Sequence, residues 1–77
     1  MERLGYDADP DMRVILNGQP RSVANRQTIE GLIQELKLIP ETLLIEHNGT
    51  ALHRAEWQTC AVQDGDKIEL IRVVAGG

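Results

Sequence analysis

From Met12 to Asn17, apolar Met12, Val14 and Leu16 alternate with Arg13, Ile15 and Asn17, the two-residue period of a strand with one covered face. Asn17-Gly18 then supplies two residues that tolerate positive φ, which predicts a tight hairpin turn, and Arg21 to Ala24 returns as a short second strand. The period changes at Thr28. Ile29, Leu32, Ile33 and Leu36 recur at i, i+3, i+4 and i+7, one apolar stripe on a helix, with Thr28 as its N-cap and Glu30 complementing the helix dipole. Gly31 weakens this helix by roughly 1 kcal/mol relative to Ala, and its missing side chain is read as letting the helix sit close to a sheet. Pro40 disfavours helical geometry at Ile39, so the helix is expected to stop near Leu38. Leu43 to His47 reads as a third strand and Asn48-Gly49 as a second tight turn. Residues 50–63 read as irregular, apart from a short helical turn around Arg54 to Trp57. Asp64-Gly65-Asp66 reads as a turn, Lys67 to Val74 as the longest and most β-branched strand, and Ala75-Gly76-Gly77 as a flexible tail.

A helix between hairpins must lie across one face of a single sheet, because every strand needs one covered face. The expected fold is therefore an α+β roll, with four to five strands packed on one helix. Residues 1–11, MERLGYDADPD, are polar and aperiodic and read as a flexible leader; residues 12–77 form the domain. At 77 residues the chain holds one small core, and folding buries only about 60% of the unfolded surface. That disfavours an autonomous enzyme with a deep pocket and favours a module handled by larger partners. Trp57 is read as core, in a domain that has no Phe.

Charge and candidate chemistry narrow the picture further. A formal net charge of −4 argues against nucleic acid, which selects a basic face, and suits a partner with a basic docking groove. No apolar run approaches a membrane span and no signal-peptide core is present, so a cytoplasmic location is expected. Cys60 is the only cysteine and excludes an internal disulfide; its neighbours Ala61 and Val62 make it read as a small buried hydrophobe. His47 and His53 lack companions for a tetrahedral metal set and read as surface residues, and Asp64 and Asp66 do not continue into a calcium loop. Metal ligands and a bound cofactor are not expected.

The chain end carries the strongest candidate chemistry. Two glycines lack Cβ atoms, so the backbone at Gly76 and Gly77 can thread a narrow channel and present a sterically bare carboxylate. Taken alone, the pair equally suits a terminus that simply frays. A stiff β-branched strand that turns small without transition fits delivery better. A carboxylate needs a leaving group before it can transfer, and the sequence has no phosphate-binding loop, so an ATP-using partner is required. By strand parity Ile15, Leu44, Ile71 and Val73 point away from the helix, an aliphatic face suited to partner docking.

Val62-Gln63-Asp64-Gly65-Asp66-Lys67-Ile68-Glu69-Leu70 followed by Val74-Ala75-Gly76-Gly77 resembles the C-terminal signature of the ThiS family, the sulfur carriers of thiamine biosynthesis. Asn48-Gly49 with Arg54-Ala55-Glu56-Trp57 after it, and the opening Met12-Arg13-Val14-Ile15-Leu16-Asn17-Gly18, are similar to it too. The resemblance spans residues 12–77. It implies a ubiquitin-like β-grasp fold, free as a monomer, whose terminal carboxylate is adenylated by a ubiquitin-activating-like enzyme using ATP and magnesium. Sulfur then arrives from a cysteine-desulfurase relay, giving a thiocarboxylate on Gly77, with Gly76 and Ala75 as the threading tail, and thiazole synthase accepts that sulfur. The small subunit of molybdopterin synthase also ends in Gly-Gly, but Ile71-Arg72-Val73-Val74-Ala75 lacks the aromatic residues and Pro-Pro pair of that branch. A tRNA-thiolation carrier, a ubiquitin-like protein modifier and a non-covalent interaction module remain the alternatives.

Overall fold

Two hairpins, one short helix and a final strand make up residues 11–73, the part of the chain that the computed structural model describes. The order is β1 (Met12–Leu16), β2 (Gln19–Val23), α1 (Ile29–Glu35), β3 (Leu43–His47), β4 (Thr50–Leu52) and β5 (Lys67–Arg72). They join in one sheet of order β2-β1-β5-β3-β4, in which β5 runs parallel to β1 and antiparallel to β3. The last strand is thus the central one, held on both edges, and α1 covers one face of a mixed sheet. This is the ubiquitin-like β-grasp arrangement. Residues 1–10 of the expected leader, and Val74, Ala75, Gly76 and Gly77 of the expected strand end and tail, lie outside the described residues.

Alternation places Met12 and Val14 of β1, Leu43 and Ile45 of β3, and Ile68 of β5 under α1, where they meet Ile29, Leu32 and Ile33 of the helix stripe. Val14, Ile29, Leu32, Ile33 and Ile68 have no exposed surface. Each such burial stabilises the fold by about 1.5–3 kcal/mol relative to an exposed side chain. Trp57 is core as expected, at 1% exposure. Its ring lies under the Arg54 guanidinium, 4.5 Å from the centroid, and Arg54 also donates to Glu30 Oε1 at 2.8 Å. Arg54 therefore ties the 3-10 turn Arg54–Glu56 to the start of α1.

Both Asn-Gly pairs form the expected turns, with φ of 51° and 82° at Asn17 and Gly18 and of 51° and 86° at Asn48 and Gly49. The asparagine side chains do more than tolerate positive φ. Asn17 accepts from Leu70 N–H at 2.7 Å and donates to Leu70 C=O at 3.2 Å. Asn48 accepts from Lys67 N–H at 2.8 Å. Each hairpin turn grips the central strand by its backbone.

Four local expectations are corrected. Helix α1 ends before Leu38, because Lys37 adopts φ 59° and its N–H bonds Gln34 C=O at 3.0 Å while Leu38 N–H bonds Ile33 C=O at 3.2 Å. That is a Schellman cap, which closes the helix ahead of Pro40. Gly31 faces the segment leading into the helix rather than the sheet: a Cβ there would lie 3.1 Å from Gln27 Oε1. Within residues 50–63, Thr50–Leu52 is a strand, β4, too short for its alternation to register. β5 stops at Arg72, although Val73 N–H still bonds Thr42 C=O at 2.7 Å.

Candidate functional site

The helix leaves one face of the sheet uncovered, and the strand register determines what that face displays. Leu44 of β3 stands directly opposite Ile71 of β5, and Glu46 directly opposite Glu69. Leu44, Ile71 and Val73 are 58%, 48% and 47% exposed. Three of the four parity-assigned residues therefore gather where β5 ends. Ile15 shares the face but is half-buried beside Lys67, its partner in the β1–β5 register. Four residues separate Lys67 from Ile71, about 13 Å along a strand.

The facing glutamates were not anticipated from the sequence. Like charges directly opposite on one sheet face destabilise it, and Glu46 and Glu69 are both exposed next to the Leu44–Ile71 pair. The residue pairing that exposes them depends on the β3–β5 register, which no local pattern reveals. On the helix side of the same sheet end, a hollow of ≈ 390 Å³ is lined by Leu16, Leu36, Leu38, Leu70, Arg21 and Arg72 among others.

At the opposite end of β5 the structure corrects two readings. His47 is not a free surface residue: its Nε2 lies 2.7 Å from Asp66 Oδ2, and its Nδ1 lies 3.6 Å from Cys60 Sγ. Cys60 is half-buried rather than a core hydrophobe. Asp66 is the buried hub, at 8% exposure. Burial alone would raise its carboxyl, but Gln63 N–H at 2.9 Å, His47 and the Asn48 amide at 3.1 Å outweigh that and hold it below its ordinary value. Burial pushes the Cys60 thiol up, and the negative charges of Asp66 and Glu56 add to it. His53 is exposed, and its N–H is capped by Glu56 at 2.8 Å. Among the described residues, no group of three or more His, Cys, Asp or Glu side chains is arranged to hold a metal ion, and no helix is long and apolar enough to cross a membrane.

A five-stranded mixed sheet with its last strand at the centre, one helix on one face and an aliphatic and acidic patch on the other defines the class: a small ubiquitin-like β-grasp domain. Residues 14–77 match the model of the ThiS family, and the chain belongs to that family. The sulfur carrier protein ThiS of Escherichia coli is 33% identical over 66 residues, covering 86% of this chain and 100% of that protein. The crystal structure of the thiamine biosynthesis protein ThiS from Geobacter metallireducens superposes with a TM-score of 0.75 at 32% identity, over 86% of this chain and 100% of that one. A thiazole synthase of Magnetococcus marinus is 32% identical over 66 residues, and there this chain spans only 20% of the relative's length.

Proposed function

We propose that this chain is a cytoplasmic sulfur carrier of thiamine biosynthesis, a co-substrate rather than a catalyst. The carrying observation is the family match, which runs unbroken from Val14 to Gly77. In this reading a partner enzyme transfers adenylate from ATP to the Gly77 carboxylate, magnesium offsetting the phosphate charge. A persulfide from a desulfurase relay attacks the acyl-adenylate and displaces AMP, and a thiol reductant then cleaves the S–S bond of the resulting acyl disulfide to leave a thiocarboxylate. Gly76 and Ala75 give the tail its narrow cross-section. The Leu44–Ile71 pair, with Val73, provides apolar contact to the activating enzyme, and Glu46 and Glu69 suit a basic rim on it. Thiazole synthase is the proposed acceptor. The 66-residue likeness within a Magnetococcus protein of that name supports this, since a segment like this chain is there part of the synthase polypeptide.

The test is the intact mass of the protein recovered from cells that make its partners, together with that of a Gly77→Val variant. The expected result is a C-terminal peptide heavier by the difference between sulfur and oxygen, absent from the variant. A stable conjugate to a lysine of another protein would instead make the chain a modifier. An unmodified end, in cells actively making thiazole, would remove the carrier reading.

A further inference from the structure

Cys60, His47 and Asp66 come from three separate places, the loop after the 3-10 turn, the last residue of β3 and the residue before β5, yet they line up as thiol, imidazole and carboxylate. For a neutral imidazole the geometry selects one tautomer. Asp66 Oδ2 lies 2.7 Å from His47 Nε2, and an ionised carboxylate only accepts, so Nε2 carries the hydrogen. His47 Nδ1 then presents its lone pair to Cys60 Sγ at 3.6 Å. Asp66 is itself pinned by Gln63 N–H at 2.9 Å and the Asn48 amide at 3.1 Å. A nucleophile within reach of a base that a third group orients is the arrangement of activated thiols and hydroxyls on unrelated folds. Cys60 is half-buried, and its neighbours Thr59 and Ala61 are exposed.

We propose that Cys60 is a nucleophilic thiol for sulfur–sulfur exchange, with His47 as its base and Asp66 as the positioning residue. In the step, Cys60 Sγ attacks one sulfur of an R–S–S–R′ or R–S–SH reagent while its proton passes to His47 Nδ1. A new S–S bond forms at Cys60, the old S–S bond breaks, and its electron pair leaves on the departing thiolate, which takes the proton from His47. No external oxidant or reductant is consumed. Burial, with Asp66 and Glu56, keeps the resting thiol protonated, so attack depends on a base at the moment of reaction. That is the role the Nδ1 lone pair fills. The array lies at the opposite end of β5 from Arg72, six positions away, about 20 Å along the strand. The proposal stands independently of the carrier reading.

The experiment follows the rate of Cys60 modification by intact mass between pH 5 and 9, using oxidised glutathione in one arm and glutathione persulfide in the other. A base at His47 adds to the pH profile an inflection that thiol ionisation alone does not give, and makes the wild-type rate at pH 7 at least about 10-fold above that of His47→Gln, within the usual range for general-base assistance. Gain of one glutathione or of one sulfur atom identifies the reagent class, and a reductant that strips the adduct distinguishes it from a thiocarboxylate. Wild-type protein unfolded in urea is the second comparison, because unfolding disperses the array and removes the inflection even if His47→Gln does not fold. A native profile that rises only with thiol ionisation, an inflection that survives in His47→Gln, or no reaction with either reagent would overturn the proposal.

Discussion

Asp66 shows how one side chain sets both stability and chemistry at the residue scale. Its carboxylate accepts from Gln63 N–H, His47 and Asn48, so removing it leaves a donor unpaired in a buried place. Asp66→Ala is expected to lower stability by about 2 kcal/mol, read from denaturant unfolding. The pH dependence follows from the lowered carboxyl of the folded state. A carboxylate depressed on folding contributes stability that is present above its unfolded value, about 3.9, and is lost as pH falls through the lower folded value. Wild type should therefore lose more stability below pH 4 than Asp66→Asn does; identical acid limbs for the two proteins would show that the carboxylate is not linked to folding. The sequence displayed Asp64-Gly65-Asp66 as a turn, and Gly65 at φ 87° is one. The burial of Asp66 was not legible, because its partner His47 lies 19 positions away and nothing local marks the pairing.

Elements with a strong period and the two Asn-Gly turns match the sequence reading, whereas the short strand β4 and the end of α1 do not. The stripe Ile29, Leu32, Ile33 and Leu36 placed α1 and its buried side, alternation over residues 12–17 placed β1, and the strands read over 43–47 and from Lys67 onward correspond to β3 and β5. β4 has three residues, fewer than a period needs to declare itself. The end of α1 was attributed to Pro40, yet the Schellman cap at Lys37 acts first. Lysine is a poor residue there, since a left-handed backbone costs a non-glycine residue about 1–2 kcal/mol. Lys37→Gly relieves that strain and gives back part of it through the larger conformational freedom of an unfolded glycine. The net expectation is about 0.5 kcal/mol of stabilisation, a rise in Tm of roughly 2–4 °C for a domain of this size. Differential scanning calorimetry decides it, and a lower Tm would mean that Lys37 makes a compensating interaction in the cap.

Across the whole molecule, one face of the sheet is paired with the helix and the other is uncovered, and the open face carries a local conflict. Glu46 and Glu69 oppose each other across β3 and β5 while Leu44 and Ile71 stay exposed beside them. Neither pair helps an isolated domain: the glutamates repel, and the aliphatic side chains remain in water. Both suit the proposed complex with an activating enzyme, in which apolar area is buried and the acids face a basic rim. Stability and docking should then respond in opposite directions. Glu69→Gln removes the repulsion and should stabilise the free domain by about 0.2–1 kcal/mol, while slowing association with the activating enzyme and reducing its salt dependence. Ile71→Asp should leave the circular dichroism spectrum unchanged, because the side chain is 48% exposed on the uncovered face, and should weaken binding at least about tenfold, the scale of an interface residue worth more than 1 kcal/mol. Surface plasmon resonance at two salt concentrations, run beside thermal melts of the same variants, separates the effects. If Glu69→Gln both stabilises the domain and leaves association unaltered, the acids are incidental to docking. If Ile71→Asp unfolds the protein, the open face is part of the core and its assignment as a docking surface fails.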